Sequence, residues 1–335
     1  MKASLQPCRV AIAGASSLRG KELKQLLEER SFPLESVRLL DEEAVGTLTE
    51  AGGEATFVQS LEEDSFAGAR FAFFAGEEGF TGKHWGVAHR AGATVIDLSG
   101  ALAGEAAALP WIPSLDATLP PPEPAVGKLF WSLGAAGIIA TTLAAALAKL
   151  PVARLSLVFF RPVSERGQAG IDELEGQTAK LLSLQPVPQA VYDTQVAFNL
   201  LTQYGSASVE RLDAIRAALS RSVVRYLAGR APVPAIQVIQ APVFHAAAFS
   251  AFVELSAAKP REELQAALAG AGITVAAADD PPVSNLSVAG SDGITISRVE
   301  PDASIANGHW IWGAADNVRL TALNAVQIAE KLLAS

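Results

Sequence analysis

Apolar positions along the chain fall into short runs that alternate with amphipathic stretches. Cys8-Arg9-Val10-Ala11-Ile12-Ala13 is apolar and partly β-branched, ends at Gly14, and reads as a buried strand. The stretch after it places Leu23, Leu26 and Leu27 on one face at helical spacing, and Ser31-Phe32-Pro33 stops it. Val37-Arg38-Leu39-Leu40 is a second strand, ending at Asp41. Strand, tight loop, helix and strand in about 35 residues make one βαβ unit. Two more strands are predicted at Arg70 to Ala75 and at Ala93 to Asp97, with a helix between them from Lys83 to Ala91. This alternation predicts a parallel, doubly wound sheet.

The pattern changes after Leu119-Pro120-Pro121-Pro122-Glu123-Pro124, which reads as loop because neither helix nor sheet interior tolerates so many prolines. Ala140 to Leu150 has a strong helix composition. Strands are predicted at Leu155 to Phe160, at Ile236 to Ile239 with Ala241 to Phe244, and at Ala251 to Glu254. The economical reading is a second, α+β domain with a mostly antiparallel sheet. A last helix from Leu320 to Leu333 carries Leu323, Val326, Ile328 and Leu332 as its apolar set.

Composition sharpens this picture. The 335 residues suggest about two domains of roughly 150 residues. Half the residues are apolar and 18% are charged, a globular mixture. A net charge of -9 without a basic run argues against a nucleic-acid groove or an anionic membrane as partner. The longest apolar stretch, Leu129 to Leu150, is interrupted by Ser132, Gly134, Gly137, Thr141, Thr142 and Lys149, too weak for a membrane span. Residues 1–7 lack an apolar signal core, so a cytoplasmic protein is expected. Cys8 is the only cysteine, which excludes an internal disulfide and a cysteine-built metal site. His84, His89, His245 and His309 form no metal-binding pattern.

The loop Gly14-Ala15-Ser16-Ser17-Leu18-Arg19-Gly20 is the first candidate site. A helix N-terminus offers unpaired N–H groups and a positive dipole end, and small residues let a pyrophosphate approach them. The outer glycines are six apart and Ser17 fills the middle position, so the same residues also suit a plain strand-to-helix turn. In such sheets ligands bind beyond the carboxyl ends of the strands, which puts Gly14, Gly76 and Ser99 on one edge.

Four segments together resemble the aspartate-semialdehyde dehydrogenase family, and more closely its Usg-type members. They are Gly14 to Gly20 with Arg30-Ser31-Phe32-Pro33; Val163 to Thr178; Gln240-Ala241-Pro242-Val243-Phe244; and Asp316 to Glu330. The resemblance spans nearly the whole chain. It implies a Rossmann-type doubly wound parallel sheet plus an α+β dimerisation domain. The expected boundaries are residues 1–131, completed by the C-terminal helix at 316–335, and residues 132–315. It implies a homodimer, a small-molecule ligand, and NADP-dependent interconversion of aspartyl phosphate and aspartate semialdehyde through a cysteine thiolate, a histidine and two arginines.

Carried onto this chain, the resemblance places the nucleophile near Ile138, the acid/base at Ala247, and the two arginines at Ala103 and Gln240, so none of these groups is retained. Cys8, on the first strand, is about 20 Å from the loop edge at roughly 3.3 Å per residue. His245 is two residues from Ala247 and would share its face on an extended strand, which makes it the substitute base to consider. Arg166 and Glu165 stand where the family has small residues, and they are expected to form a surface ion pair. The cofactor contacts implied are Gly14, Ala15, Ser16, Ser17, Leu18, Gly20, Gly76, Ser99, Ser164, Gly167 and Asn317. Asp41, with Glu42 and Glu43, repels a 2′-phosphate and suits a ribose hydroxyl, so NAD is favoured over NADP.

Three readings stay open at this point. One is a pseudoenzyme that keeps the fold, the dinucleotide site and the dimer. Another is an active NAD(P)-dependent oxidoreductase that transfers hydride to a different small carbonyl compound without a covalent step, using His245 and Arg166. The third is a dinucleotide-binding regulator.

Overall fold

The computed structural model describes residues 6–51, 54–121, 127–277 and 279–334. Residues 1–5 at the chain start and residues 122–126, which include the second half of the proline-rich segment, lie outside the described residues. The chain divides into two compact units. One comprises residues 1–116, 120–134 and 321–335, the other 117–119 and 135–320.

The first unit is built on β1 (Cys8–Ala13), α1 (Leu18–Glu29), β2 (Leu34–Leu40), a small hairpin of β3 (Leu48–Ala51) and β4 (Glu54–Phe57), β5 (Phe71–Phe74), α2 (Glu78–Arg90), β6 (Thr94–Asp97), β7 (Leu109–Pro110) and β8 (Leu129–Trp131). The main sheet has the order β2-β1-β5-β6-β8-β7 and every pairing in it is parallel. The inner strands β1, β5 and β6 read as nearly continuous apolar runs because both faces are covered. Val10, Ile12, Phe71, Phe73 and Ile96 on one face join Leu23, Leu26 and Leu27 of α1 and Ala322 to Ala329 near the C-terminus in a single core. Chain order reverses at β1, with β2 on one side and β5 on the other. That makes the β1/β5 carboxyl edge the place where such a sheet opens a crevice.

The second unit contains α3 (Gly134–Leu147), β9 (Val152–Arg161), α4 (Gly167–Leu182), α5 (Leu212–Leu227), β10 (Ala235–Gln240), β11 (Ala247–Leu255), α6 (Arg261–Gly270), β12 (Thr274–Val275), β13 (Thr295–Ile296), β14 (Glu300–Pro301) and β15 (Gly308–Ala315), followed by α7 (Asn317–Ala334). Only the start of α7 belongs to this unit. The sheet is mixed. β10 pairs β9 in parallel, while β9, β11 and β15 are successively antiparallel. Alternation sets its buried face: Leu155, Leu157 and Phe159 of β9 stand opposite Val253, Ala251 and Phe249 of β11.

The structure corrects two sequence expectations. Ala241 to Phe244 is not a strand, since Pro242 has no N–H to donate and Ala246 turns the chain at a φ of 66°. Three helices, α4, α5 and α6, lie beyond the predicted set. Gly167, Gly170 and Gly176 depress the helix propensity of α4. Gly170 is there because a Cβ would run into the Val163 carbonyl and the Tyr192 hydroxyl.

Candidate functional site

The parallel sheet sets the first part of the site. Gly14 follows β1, Gly76 follows β5 and Ser99 follows β6, so all three lie on the carboxyl edge. The Gly14–Gly20 loop is tightly folded on itself. The N–H groups of Gly14 and Ala15 donate to the Leu40 carbonyl at 2.8 and 3.2 Å, and that of Ser17 donates to Gly14 at 3.2 Å. Ser17 caps α1: its hydroxyl accepts from the Gly20 N–H at 2.9 Å and donates to the Ala75 carbonyl at 2.9 Å. Among the described residues, the N–H groups of Leu18 and Arg19 find no acceptor. Two unpaired donors at a helix N-terminus have the chemistry to accept a phosphate.

Arg19 was not singled out by sequence reasoning. Its guanidinium lies along the edge and donates to the carbonyls of Gly76 at 2.9 Å and Leu98 at 3.1 Å. Nothing in local periodicity marks it, because its acceptors are more than 50 residues away in the chain.

Asp41 sits at the end of β2, as the sequence places it, but it is buried and its carboxylate is already engaged. One oxygen accepts from the Ser16 amide at 3.0 Å and from the Ser16 hydroxyl; the other accepts from the Glu42 and Glu43 amides at 2.8 and 3.3 Å. An ionised carboxylate offers about four acceptor positions, and here all are taken. Glu42 points elsewhere and pairs with Lys83 and His84.

Ser99 is held by Asp97, whose carboxylate accepts its amide and hydroxyl at 2.6 Å and the Leu102 amide at 2.9 Å. Burial pushes the Asp97 carboxyl above the ordinary aspartate range, against the pull of those hydrogen bonds. The folded protein therefore holds this proton more tightly than the unfolded chain. The resulting stabilisation is full below an aspartate's unperturbed value, about 4, and is lost as pH rises through the raised value. The melting temperature of the wild type relative to Asp97→Asn should accordingly fall between pH 3 and pH 8. A difference that stays flat over that range would contradict the assignment.

The second unit carries the positions assigned to chemistry. Ile138 lies buried in α3 and Ala247 opens β11, also buried. Neither side chain can attack a carbonyl or move a proton. His245 is exposed ahead of β11, and the left-handed turn at Ala246 removes the extended geometry that would align it with Ala247. Cys8, in the first unit, is 9% exposed at the start of β1, the end of the strand away from Gly14; burial pushes its thiol up.

Ser164 and Asn317 come together. The Asn317 side-chain oxygen accepts from the Ser164 hydroxyl at 3.2 Å and from the Ala246 amide at 3.0 Å, and its amide donates to Glu165 at 3.1 Å. Gly167 takes a φ of 64° at the start of α4, where it turns the chain into the helix. These contacts show Ser164 and Asn317 fixing the turn before β11.

Glu165 and Arg166 are not a surface pair. Glu165 accepts from Asn317, and Arg166, only 18% exposed, reaches Glu210 at 3.5 Å. They border a buried polar cluster around Arg161, a residue the sequence reading passed over. Arg161 donates to the Tyr204 hydroxyl at 3.0 Å and to Glu210 at 3.1 Å. Burial works against its charge, but Tyr204, Glu210 and Glu165 outweigh that and hold the guanidinium firmly protonated. Burial likewise pushes the Tyr204 hydroxyl up.

Comparison with known proteins fits this division. Residues 9–118 match the family described as semialdehyde dehydrogenase, NAD binding domain, and residues 143–320 match semialdehyde dehydrogenase, dimerisation domain. A USG-1 protein homolog of Pseudomonas aeruginosa is 34% identical over 98% of this chain and 98% of its own length. Aspartate-semialdehyde dehydrogenase 2 of Vibrio cholerae is 30% identical with the same coverage of both. The crystal structure of aspartate semialdehyde dehydrogenase II complexed with ASA from Vibrio cholerae has a TM-score of 0.85 and 27% identity, covering 98% of each chain.

Proposed function

This chain belongs to the aspartate-semialdehyde dehydrogenase family, and on that premise we propose that it is a Usg-type homologue that has lost the family's thiolate reaction while keeping a dinucleotide-binding domain and a homodimer. One observation carries this reading. The single cysteine, Cys8, is buried at the wrong end of β1, and a raised thiol pKa makes it a poor nucleophile. Ile138, Ala247 and Ala103 supply no group that could take over the nucleophile, the acid/base or the first arginine.

A bound pyridine nucleotide supplies hydride chemistry. The residues present fit such a group at the β1/β5 edge, where the Leu18 and Arg19 amides would hold its pyrophosphate. NAD is favoured over NADP, because the Asp41 carboxylate at the end of β2 suits a ribose hydroxyl and repels a 2′-phosphate. A ribose hydroxyl would replace the Ser16 hydroxyl on Asp41. Exposed Phe198, Leu200 and Val209 in the second unit suit a buried homodimer face, and a cytoplasmic setting fits the lone thiol. Among the described residues, no helix is long and apolar enough to cross a membrane.

The test combines calorimetry with an assay. NAD or NADH should bind, and more tightly than NADP or NADPH. Aspartate semialdehyde with phosphate and NADP should give no turnover above that of a Cys8→Ser control. Cysteine-dependent turnover would refute the loss of chemistry. Turnover of small aldehydes or ketones that His245→Ala abolishes would instead establish an active oxidoreductase using direct hydride transfer.

A further inference from the structure

The dinucleotide reading divides the carboxyl edge of the parallel sheet into two halves. An adenosine ribose belongs at the end of β2, beside Asp41. The pyrophosphate belongs at the Leu18 and Arg19 amides, and the nicotinamide half continues across the ends of β5 and β6. The two halves are not equally open. On the β2 side the exchange is small: Asp41 accepts from the Ser16 hydroxyl, and a ribose hydroxyl would replace one neutral donor by another.

On the β5 and β6 side the group in place is a charge. Arg19 is the second residue of α1, where side chains lean back toward the helix start. Its guanidinium spans two neighbouring parallel strands. One terminal nitrogen donates to the Gly76 carbonyl at 2.9 Å, just past β5, and the other donates to the Leu98 carbonyl at 3.1 Å, directly after β6. From α2 the Phe80 ring packs on Gly76, 2.6 Å from where a Cβ would lie. Ser99 is turned inward: its amide and hydroxyl both donate to the buried Asp97, and its oxygen accepts from the Ala101 amide at 3.2 Å. The Gly76 and Leu98 carbonyls and the Ser99 hydroxyl are the polar groups that a second ribose and a carboxamide would meet at this edge. The chain itself already engages all three.

We propose that Arg19 bars the nicotinamide half of the crevice, so that the protein takes its nucleotide by the adenosine diphosphate half. A planar fork with fixed donors joins two carbonyls on adjacent strands as one rigid bolt. Admitting the second ribose means giving up both hydrogen bonds. The oxidised nicotinamide ring is cationic, and its repulsion by the guanidinium adds to that cost. The ligand class is then an adenosine diphosphate ester, whose far half stays in water and out of place for hydride transfer. This rests on the dinucleotide reading and narrows it.

Calorimetry with ADP and NAD on the full-length protein tests it. In the wild type NAD should bind no more than about threefold more tightly than ADP, because only the shared half makes contact. Arg19→Met keeps the reach of the side chain and removes the fork. In that variant the affinity of NAD relative to ADP should rise by about fivefold or more, since the two hydrogen bonds no longer have to be broken. NADH fluorescence gives a reading that a merely structural Arg19 would not move. Bound NADH should emit as it does in water with the wild type, and with a brighter, blue-shifted band in Arg19→Met.

The proposal fails if wild-type NAD binding exceeds ADP binding by more than that margin, if the ratio in Arg19→Met rises by less, or if the wild type already shifts the NADH band. Melting curves report whether each variant folds. Arg19→Gln, neutral and too short to reach both carbonyls, is held to the same ratio and decides the matter where Arg19→Met does not fold. ADP binding while the NAD ratios go the wrong way removes this proposal alone. Saturable heat from none of these nucleotides, in the wild type or either variant, removes the dinucleotide reading itself and the proposal with it.

Discussion

Replacing Gln177 with leucine should destabilise the protein by about 3–5 kcal/mol, because one buried side chain closes the loop between α4 and residue 199. Gln177 is fully buried in α4. Its amide donates to the carbonyls of Pro188 at 2.8 Å and Thr194 at 3.0 Å, and its oxygen accepts from the amides of Val196 at 2.7 Å and Ala197 at 3.0 Å. One turn earlier, Glu173 accepts the amides of Val191 and Tyr192. Leucine keeps the approximate volume and leaves four backbone groups without partners. Each orphaned buried group costs roughly 1–3 kcal/mol, offset in part where water can enter. The melting temperature should fall by on the order of 10 °C. A shift under about 2 °C would show that the loop has other means of closure.

Gly14→Ala is the second large effect, expected at about 2–5 kcal/mol. Gly14 has a φ of 79°, and a Cβ there would overlap the Gly76 backbone between β1 and β5. The left-handed conformation alone costs a side chain roughly 1–2 kcal/mol, and overpacking adds roughly 1–3. Gly46→Ala separates the two contributions, since Gly46 has a φ of 83° but nothing within 4 Å of its Cβ position. It should lose only the smaller, conformational part. Equal losses in the two variants would mean that close approach of Gly14 to Gly76 contributes nothing. The comparison also bears on function, because this approach shapes the edge where Leu18 and Arg19 offer their amides.

Both residues belong to segments that carry the family resemblance, yet their roles here are structural. The Val163–Thr178 segment holds a loop through Gln177 and Glu173, and a turn through Ser164 with Asn317. Residues that carry a resemblance can therefore owe their place to the buried backbone groups they satisfy. Asp41 teaches a similar lesson. Its position after β2 was readable, but its four hydrogen-bond donors were not, and they change what it can offer a ribose.

How much was legible differs by element. β1, β2, β5, β6 and α1 were readable because apolar runs and 3.6-residue spacing are local, whereas the two- and three-residue strands β7 and β8 are too short to show a pattern and were missed. That Cys8 is the only cysteine was readable too, since a count needs no coordinates. α4 was hidden by its glycines, one of which is required by a contact that only packing creates. His245 looked aligned with Ala247 until the left-handed Ala246 broke the strand between them.

Composition and periodicity by themselves determined the parallel, doubly wound half, the βαβ loop at Gly14 and the presence of a single cysteine. Only the tertiary structure decided where the guanidinium of the second unit stands. Arg161 and Gln240 are 79 residues apart, and what joins them is the register of two parallel strands. Register is settled by how whole strands bury their apolar faces against each other. A side chain's partner across a sheet is therefore a property of the assembled core, and no stretch of sequence around either residue contains it.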